Sequence, residues 1–370
     1  MDLGRSLVDP ERPELTRDLR DGKVTRDAGA QLTEWELEQI AELLLRAGTE
    51  VVAPLTGSLI AGGRSNLTFR IGDGVSEWVL RTPPRAGRTP SAHDVAREFR
   101  VTSALVHTEV PVAAPVLLCE DETILGGPFA VASFVSGRSV QTSVQVGELS
   151  NVTLGAVLEE LVGVLASLHR VDHVAVGLER FGRPDSYAER QYARWSSQWE
   201  LVGPASERDL AAEVITGLAP RLPRQSSTGI VHGDYRIDNT LLAFDAGVPR
   251  VAAVVDWELS TIGDPVADVA MMCGYRDAAF DLIVGAPSAW ASDRLPSVGE
   301  LAMAYEAAGG VPLVDWSEHL ALAYFKIAVI AAGIDYRLRA GAASGVGFDA
   351  AGDAVAPYLT LARNALTTGG

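Results

Sequence analysis

Between Gly229 and Asp268 the chain reads GIVHGDYRIDNTLLAFDAGVPRVAAVVDWELSTIGDPVAD. Three polar side chains stand there at the ends of short apolar runs. Asp234 follows Ile230-Val231, Asn239 comes just before Thr240–Phe244, and Asp256 follows Val251–Val255. A turn at Asp245-Ala246-Gly247 makes the last two runs a hairpin, so the strand ends carrying Asn239 and Asp256 are neighbours. One carboxylate, one amide and a second carboxylate then surround one pocket. Oxygen ligands such as Asn239 and Asp256 suit Mg²⁺, which also takes oxygens from phosphates. Asp234 is left to orient a hydroxyl and accept its proton. That division of labour is the one phosphoryl transfer needs.

The elements that must position these residues fall into two parts. Residues 1–30 read as a polar N-terminal arm. Thr33 to Glu36 opens an amphipathic helix with a capping box, stopped by Gly48. Leu59-Ile60, Leu67–Ile71 and Trp78–Arg81 read as antiparallel strands joined by glycine-rich turns. His93–Val106 has a helical period, and Val116–Cys119 and Phe129–Ala132 read as two further strands. Beyond Gly137 the pattern turns helical. Val152–His169 repeats leucine at helical spacing, Tyr187–Trp199 and Leu210–Leu218 follow, and helices return after Pro265. The expected domains are the arm, an N-lobe of sheet plus helix over 31–136, and a C-lobe over 137–370.

The Asp-x-x-x-x-Asn spacing matches the catalytic loop of protein kinases. HGDYRIDN, VVDWE and GDPVAD together resemble the aminoglycoside phosphotransferase and choline kinase-like family, which shares the protein-kinase fold. The resemblance runs from roughly Gly57 to Leu361. It is strongest to kinase-like domains fused to, or encoded beside, acyl-CoA dehydrogenases, which share GG-x-SN-x-T, LR-x-PP, HGDYR-x-x-N and DWE-x-x-x-x-GDP. It implies an α+β bilobal protein-kinase-like fold, with a small antiparallel-β N-lobe and a large, mainly helical C-lobe. It also implies ATP and Mg²⁺ as cofactors, and transfer of a γ-phosphate to the hydroxyl of a small molecule.

Against that resemblance, Gly62-Gly63-Arg64-Ser65-Asn66 lies where a kinase keeps its phosphate-covering loop. Gly63 would let the backbone approach the phosphates, with Ser65 and Asn66 beside it, although Gly-Gly is equally a common hairpin turn. The third strand of a kinase carries a lysine for the α- and β-phosphates. This chain has two lysines, Lys23 and Lys326, and neither lies there. Arg81 stands in that place, with Glu98 of the following helix as its expected partner; the bland reading is a solvated arginine at a strand end. Arginine is planar and forked, so it does not simply replace lysine. Arg236, two residues after Asp234, either stabilises charge on the transferred phosphate or bonds a loop carbonyl. PFAVASFVSG resembles the family's hinge, which would put adenine against backbone near Ser133 and Val135. His232 and His169 read as structural. Asp264 reads as an N-cap, Asp268 as an acceptor for loop amides, Glu258 as an additional metal contact, and Cys273 as core.

Composition narrows the partners. The net charge of −17 disfavours nucleic acid and anionic membranes. With 47% hydrophobic and 21% charged residues the chain is an ordinary globular sequence. Two distant cysteines make neither a disulfide framework nor a CxxC metal site, and a reducing cytoplasm is the expected compartment. Residues 1–21 lack the apolar core of a secretory signal, and the apolar run 320–334, interrupted by Lys326, reads as a buried helix. For the acceptor, overall acidity suits a cationic aminoglycoside. The resemblance suits a hydroxyacyl group, including its CoA thioester, and a functional link to an acyl-CoA dehydrogenase. Tyr192, Trp195 and Trp199 could line an apolar acceptor pocket. Two other functions use the same residues: a nucleotide-binding regulator without transfer activity, for which the absent lysine argues, and a metal-dependent hydrolase.

Overall fold

The computed structural model describes residues 31–61, 66–84, 94–245, 247–341 and 349–368. Helix α1 (Glu34–Arg46) opens on the expected capping box. The Glu36 amide donates to the Thr33 hydroxyl at 3.2 Å, and the Thr33 amide donates back to the Glu36 carboxylate at 2.6 Å. Gly48, at φ +82°, ends the helix in the left-handed region.

Strands β1 (Thr56–Ala61), β2 (Leu67–Gly72) and β3 (Glu77–Thr82) form an antiparallel meander. After α2 (Val95–Leu105) come β4 (Pro115–Cys119), the short α3 (Glu122–Leu125) and β5 (Phe129–Ser133). The spatial order is β1-β2-β3-β5-β4, so β5 lies between β3 and β4. Alternation sorts the side chains. Phe69 lies opposite Leu80, and Leu80 opposite Val131, and these join Ile40 and Leu44 of α1 in a small core. The same period of two turns Arg81 to the other face, toward the rest of the molecule.

That rest is mostly helical. It runs through α4 (Ser143–Gly147), α5 (Asn151–Arg170), α6 (Tyr187–Val202) and α7 (Arg208–Leu218). A β island follows: β6 (Gly229–Val231), β7 (Thr240–Asp245), β8 (Val248–Val254) and β9 (Thr261–Gly263). Then come α8 (Pro265–Gly274), α9 (Phe280–Val284), α10 (Val298–Ala307), α11 (Trp316–Arg339) and α12 (Val355–Thr368). The hairpin β7–β8 pairs Thr240 with Val254, as its turn predicts. The pairing of β6 with β9, Ile230 opposite Ile262, is not visible in the sequence because β9 carries one apolar residue and no periodicity. The apolar run 320–334 lies inside α11, most of whose apolar side chains are buried in the large core. Helix α2 is shared. It follows the sheet in sequence, yet Val101 and Leu105 belong to the large core.

Candidate active site

Strand β6 delivers the chain to His232-Gly233-Asp234. Gly233 has φ +84°, and a Cβ there would meet the Leu259 carbonyl oxygen at 2.9 Å, so glycine alone fits this bend. The loop is held by Asp268, one turn into α8. The Asp268 carboxylate accepts the His232 amide at 2.6 Å and the Gly233 amide at 2.8 Å, and His169 Nε2 lies 3.3 Å from it. Burial alone would raise the Asp268 pKa. The His169 bond, with the His232 amide, outweighs it and holds the carboxyl below its ordinary value. Asp264 caps α8 through the Val266 amide at 3.0 Å, with Pro265 in the first turn.

His232 is a strut rather than a base. Its Nδ1 accepts the Asp234 amide at 3.2 Å, which leaves Nε2–H to donate to the Val255 carbonyl at 3.0 Å. Val255 also donates its amide to the Asn239 carbonyl at 3.0 Å. One residue thus ties both loops together immediately before Asp256. Asn239 Nδ2 donates to the Asp234 carbonyl at 2.8 Å and to Asp234 Oδ2 at 2.9 Å. Asn239 therefore spends its nitrogen orienting Asp234 and keeps its side-chain oxygen for another ligand. Asp256 sits at φ +66°, a left-handed conformation that the short polar side chain tolerates.

Arg236 is nine-tenths buried. Its Nη2 lies 3.1 Å from Asp234 Oδ2 and 3.2 Å from Asp238 Oδ2, and its guanidinium stacks 4.8 Å from the rings of both Tyr275 and Phe280. Burial opposes the charge, but the two carboxylates keep its pKa above the ordinary value. Its partners are carboxylates, not the loop carbonyl that one sequence reading offered. The Asp238 contact had no sequence signal beyond proximity.

The strand-end arginine is not a solvated one. Arg81 Nη1 lies 3.1 Å from Glu98 Oε2 of α2, and Nη2 lies 3.4 Å from Asp256 Oδ1. Glu98, Asp256 and Glu258 present carboxylate oxygens within 4.8 Å of one another. Burial, reinforced by Asp256 and Glu258 and opposed by Arg81, pushes the Glu98 carboxyl up to about 7. Two of these acids, Glu98 and Asp256, pair with the Arg81 guanidinium, and with Glu258 they make an all-oxygen donor set that suits a hard divalent cation. Asn66 is buried at the mouth of β2, and neither its Oδ1 nor its Nδ2 has a hydrogen-bond partner. Gly63 and Ser65 lie outside the described residues. At the hinge, the Ser133 amide already donates to the Ala114 carbonyl at 2.8 Å, and the Phe134 amide to Glu77 at 3.1 Å. Val135 follows directly.

Sequence reasoning missed Arg97. Its Nε and Nη2 donate to the Ser260 carbonyl at 2.9 and 2.8 Å, Nη2 also donates to the Phe181 carbonyl at 2.9 Å, and the guanidinium lies 4.1 Å from the Phe181 ring. This arginine clamps α2, and with it Glu98, to the segment between Asp256 and Asp264. Of the three aromatics considered for an acceptor pocket, Trp199 is buried core and Tyr192 donates its hydroxyl to Ile215. Only Trp195 faces a crevice.

A family model described as phosphotransferase enzyme family matches residues 56–320. Mouse acyl-CoA dehydrogenase family member 10 is 35% identical over 305 residues, covering 80% of this chain and 28% of its own length. Human acyl-CoA dehydrogenase family member 11 is 34% identical over 293 residues, covering 78% and 37% respectively. The chain thus spans about a third of the length of these curated relatives. Among solved structures, a Ralstonia eutropha protein provisionally assigned as an aminoglycoside phosphotransferase superposes with TM-score 0.77 at 32% identity, covering 90% of this chain and 98% of that one. APH(4)-Ia, in a ternary complex with AMP-PNP and hygromycin B, superposes with TM-score 0.57 at 17% identity, over 90% and 99%. The fold is the α+β bilobal, kinase-like one of these phosphotransferases.

Proposed function

The chain belongs to the phosphotransferase enzyme family, and from that premise we propose that it moves the γ-phosphate of ATP, with Mg²⁺, to a hydroxyl of a small molecule. The observation that carries this reading is the tie between three groups. Asn239 holds the Asp234 carboxylate through its nitrogen, and Val255 fixes Asn239 beside Asp256. Asp234 then orients the acceptor hydroxyl and takes its proton, and Arg236 balances the charge there. Asp256 and the Asn239 side-chain oxygen would hold Mg²⁺, with Glu258 close by; the ion, when bound, offsets phosphate charge. Arg81 would reach the α- and β-phosphates, steadied by Glu98. Gly63, Ser65 and Asn66 would cover the phosphates, and the unsatisfied Asn66 amide is suited to that contact. Adenine would meet backbone at Val135, since the Ser133 amide is engaged.

For the acceptor, the relatives named as acyl-CoA dehydrogenases favour a hydroxyacyl-type alcohol, including its CoA thioester, over an aminoglycoside-like one. A functional link to such a dehydrogenase, in the cytoplasm, belongs to the same proposal. The test is Asp234→Ala with ATP, Mg²⁺ and a panel of hydroxyacyl-CoAs, amino alcohols and aminoglycosides. Transfer should vanish while nucleotide binding stays; unchanged turnover refutes the assignment. One observation favours a nucleotide-binding regulator without transfer: Arg81 occupies Asp256, the carboxylate assigned to the metal. ATP binding without product on any alcohol would support that second reading.

A further inference from the structure

Helices α6, α8 and α11 leave a crevice of about 310 Å³, counting its open mouth, with room inside for about one water-sized group. Gln191 and Trp195 line it from α6, Met271 from α8, and His319, Leu322 and Lys326 from α11. Two cations flank the Trp195 ring. The Lys326 ammonium lies 5.7 Å and the Arg194 guanidinium 5.1 Å from its centroid. Neither is in an ion pair with a carboxylate among the described residues, in a chain of net charge −17. Lys326 is half-buried, and burial pushes its pKa down, opposed by the charges of Asp234 and Asp268. Both are already committed, Asp234 to Asn239 and Arg236, and Asp268 to the loop amides and His169. Aromatic faces attract cations but do not neutralise them. At the inner wall, His319 is 2% exposed, and both ring nitrogens lack hydrogen-bond partners. Asp264 Oδ2, at 3.6 Å, is too far for one. The imidazole is a buried donor aimed into the crevice with nothing to bind.

We propose that this crevice is the acceptor subsite, and that Lys326 and Arg194 hold a carboxylate of the acceptor against Trp195 while its hydroxyl reaches Asp234. The inference rests on the phosphotransferase reading for the role of Asp234, but the anion subsite stands on its own geometry. An exposed guanidinium guides the carboxylate inward and the set-back ammonium fixes it, as charge-assisted bonds do at a partly desolvated site. The substrate class is then a hydroxycarboxylate, and a polycation is repelled from this mouth.

Calorimetric binding without nucleotide turnover tests it, with short-chain hydroxycarboxylates, their primary amides and kanamycin as probes. The unaltered protein should bind an acid at least about tenfold more tightly than its amide, and kanamycin should not compete with it. Lys326→Met, of similar volume, should erase the preference for acid over amide while ATP binding is unchanged; Lys326→Arg should keep part of it. Equal affinity for acid and amide, no saturable binding of any acid, or a preference untouched in Lys326→Met would each overturn the proposal. If Lys326→Met does not fold, the comparison of acid with amide on the unaltered protein decides alone. Acid preference without phosphate transfer to any acceptor sinks the phosphotransferase reading only. Transfer to uncharged alcohols without acid preference sinks the subsite only.

Discussion

Asp268→Ala removes the group that holds the loop leading into Asp234. Two buried amides, His232 and Gly233, donate to this carboxylate at 2.6 and 2.8 Å, with His169 at 3.3 Å. A hydrogen bond to a charged acceptor contributes about 1.5–3 kcal/mol net, so the pair contributes about 3–6 kcal/mol. Deleting a buried carboxylate also returns part of its desolvation cost, which lowers the expected loss to about 3–5 kcal/mol. Asp268→Asn keeps one acceptor oxygen but sets an NH₂ group against the other amide, so about 2–3 kcal/mol is expected there. Urea unfolding at neutral pH reads both values as a shift of the midpoint with an unchanged slope. Asp234 also moves when the loop relaxes, and a displacement of about an ångström costs about a hundredfold in turnover. The order of effect should be Ala, then Asn, in stability and in turnover alike. Asp268→Ala within about 1 kcal/mol of the parent would show that the loop is held by something else.

Arg97→Met removes three bonds to carbonyls and the stacking on Phe181; about 2–3 kcal/mol of stability should go, with faster hydrogen exchange in α2 than in α5. Equal protection of α2 in both proteins would remove the clamp. His319 is pushed down to about 4 by burial, so the folded imidazole stays neutral while the unfolded one, near 6.5, gains a proton as pH falls. Its contribution, about 3 kcal/mol, is complete above pH 6.5 and is lost toward pH 4. Asp264, raised to about 6 by burial, works the other way and loses stability as pH rises from 3.8 to 6. His319→Gln should abolish only the acid-side loss in denaturant titrations; an unchanged pH slope contradicts this.

How much was legible depended on how local the cause was. The capping box at Thr33, the strand alternation from Leu67 to Leu80 and the β7–β8 hairpin are written within a few residues, and the structure has each. The pairing of Arg81 with Glu98 was legible only through the kinase resemblance, which sets a third-strand cation against an acid of the following helix. The added bond from Arg81 to Asp256 spans 175 residues and left no trace in periodicity. Thr261-Ile262-Gly263 holds a single apolar residue between a threonine and a glycine, so β9 was hidden. Spacing in α6 could not separate Trp199, which is core, from Trp195, because both lie within a turn and only the packing of α11 decides between them. Arg97 escaped because its acceptors, the Ser260 and Phe181 carbonyls, carry no side-chain signature.

The central claim is that Asn239 and Asp256 hold the divalent ion of a nucleotide while Asp234 does not. Electron paramagnetic resonance titration of Mn²⁺ into protein with AMP-PNP measures this directly through loss of the free-ion signal. The account predicts tight nucleotide-dependent Mn²⁺ binding to the unaltered protein, weakened by about tenfold or more in Asn239→Ala and in Asp256→Ala, and retained in Asp234→Ala. Equal Mn²⁺ binding in all four proteins, or a loss confined to Asp234→Ala, would contradict it.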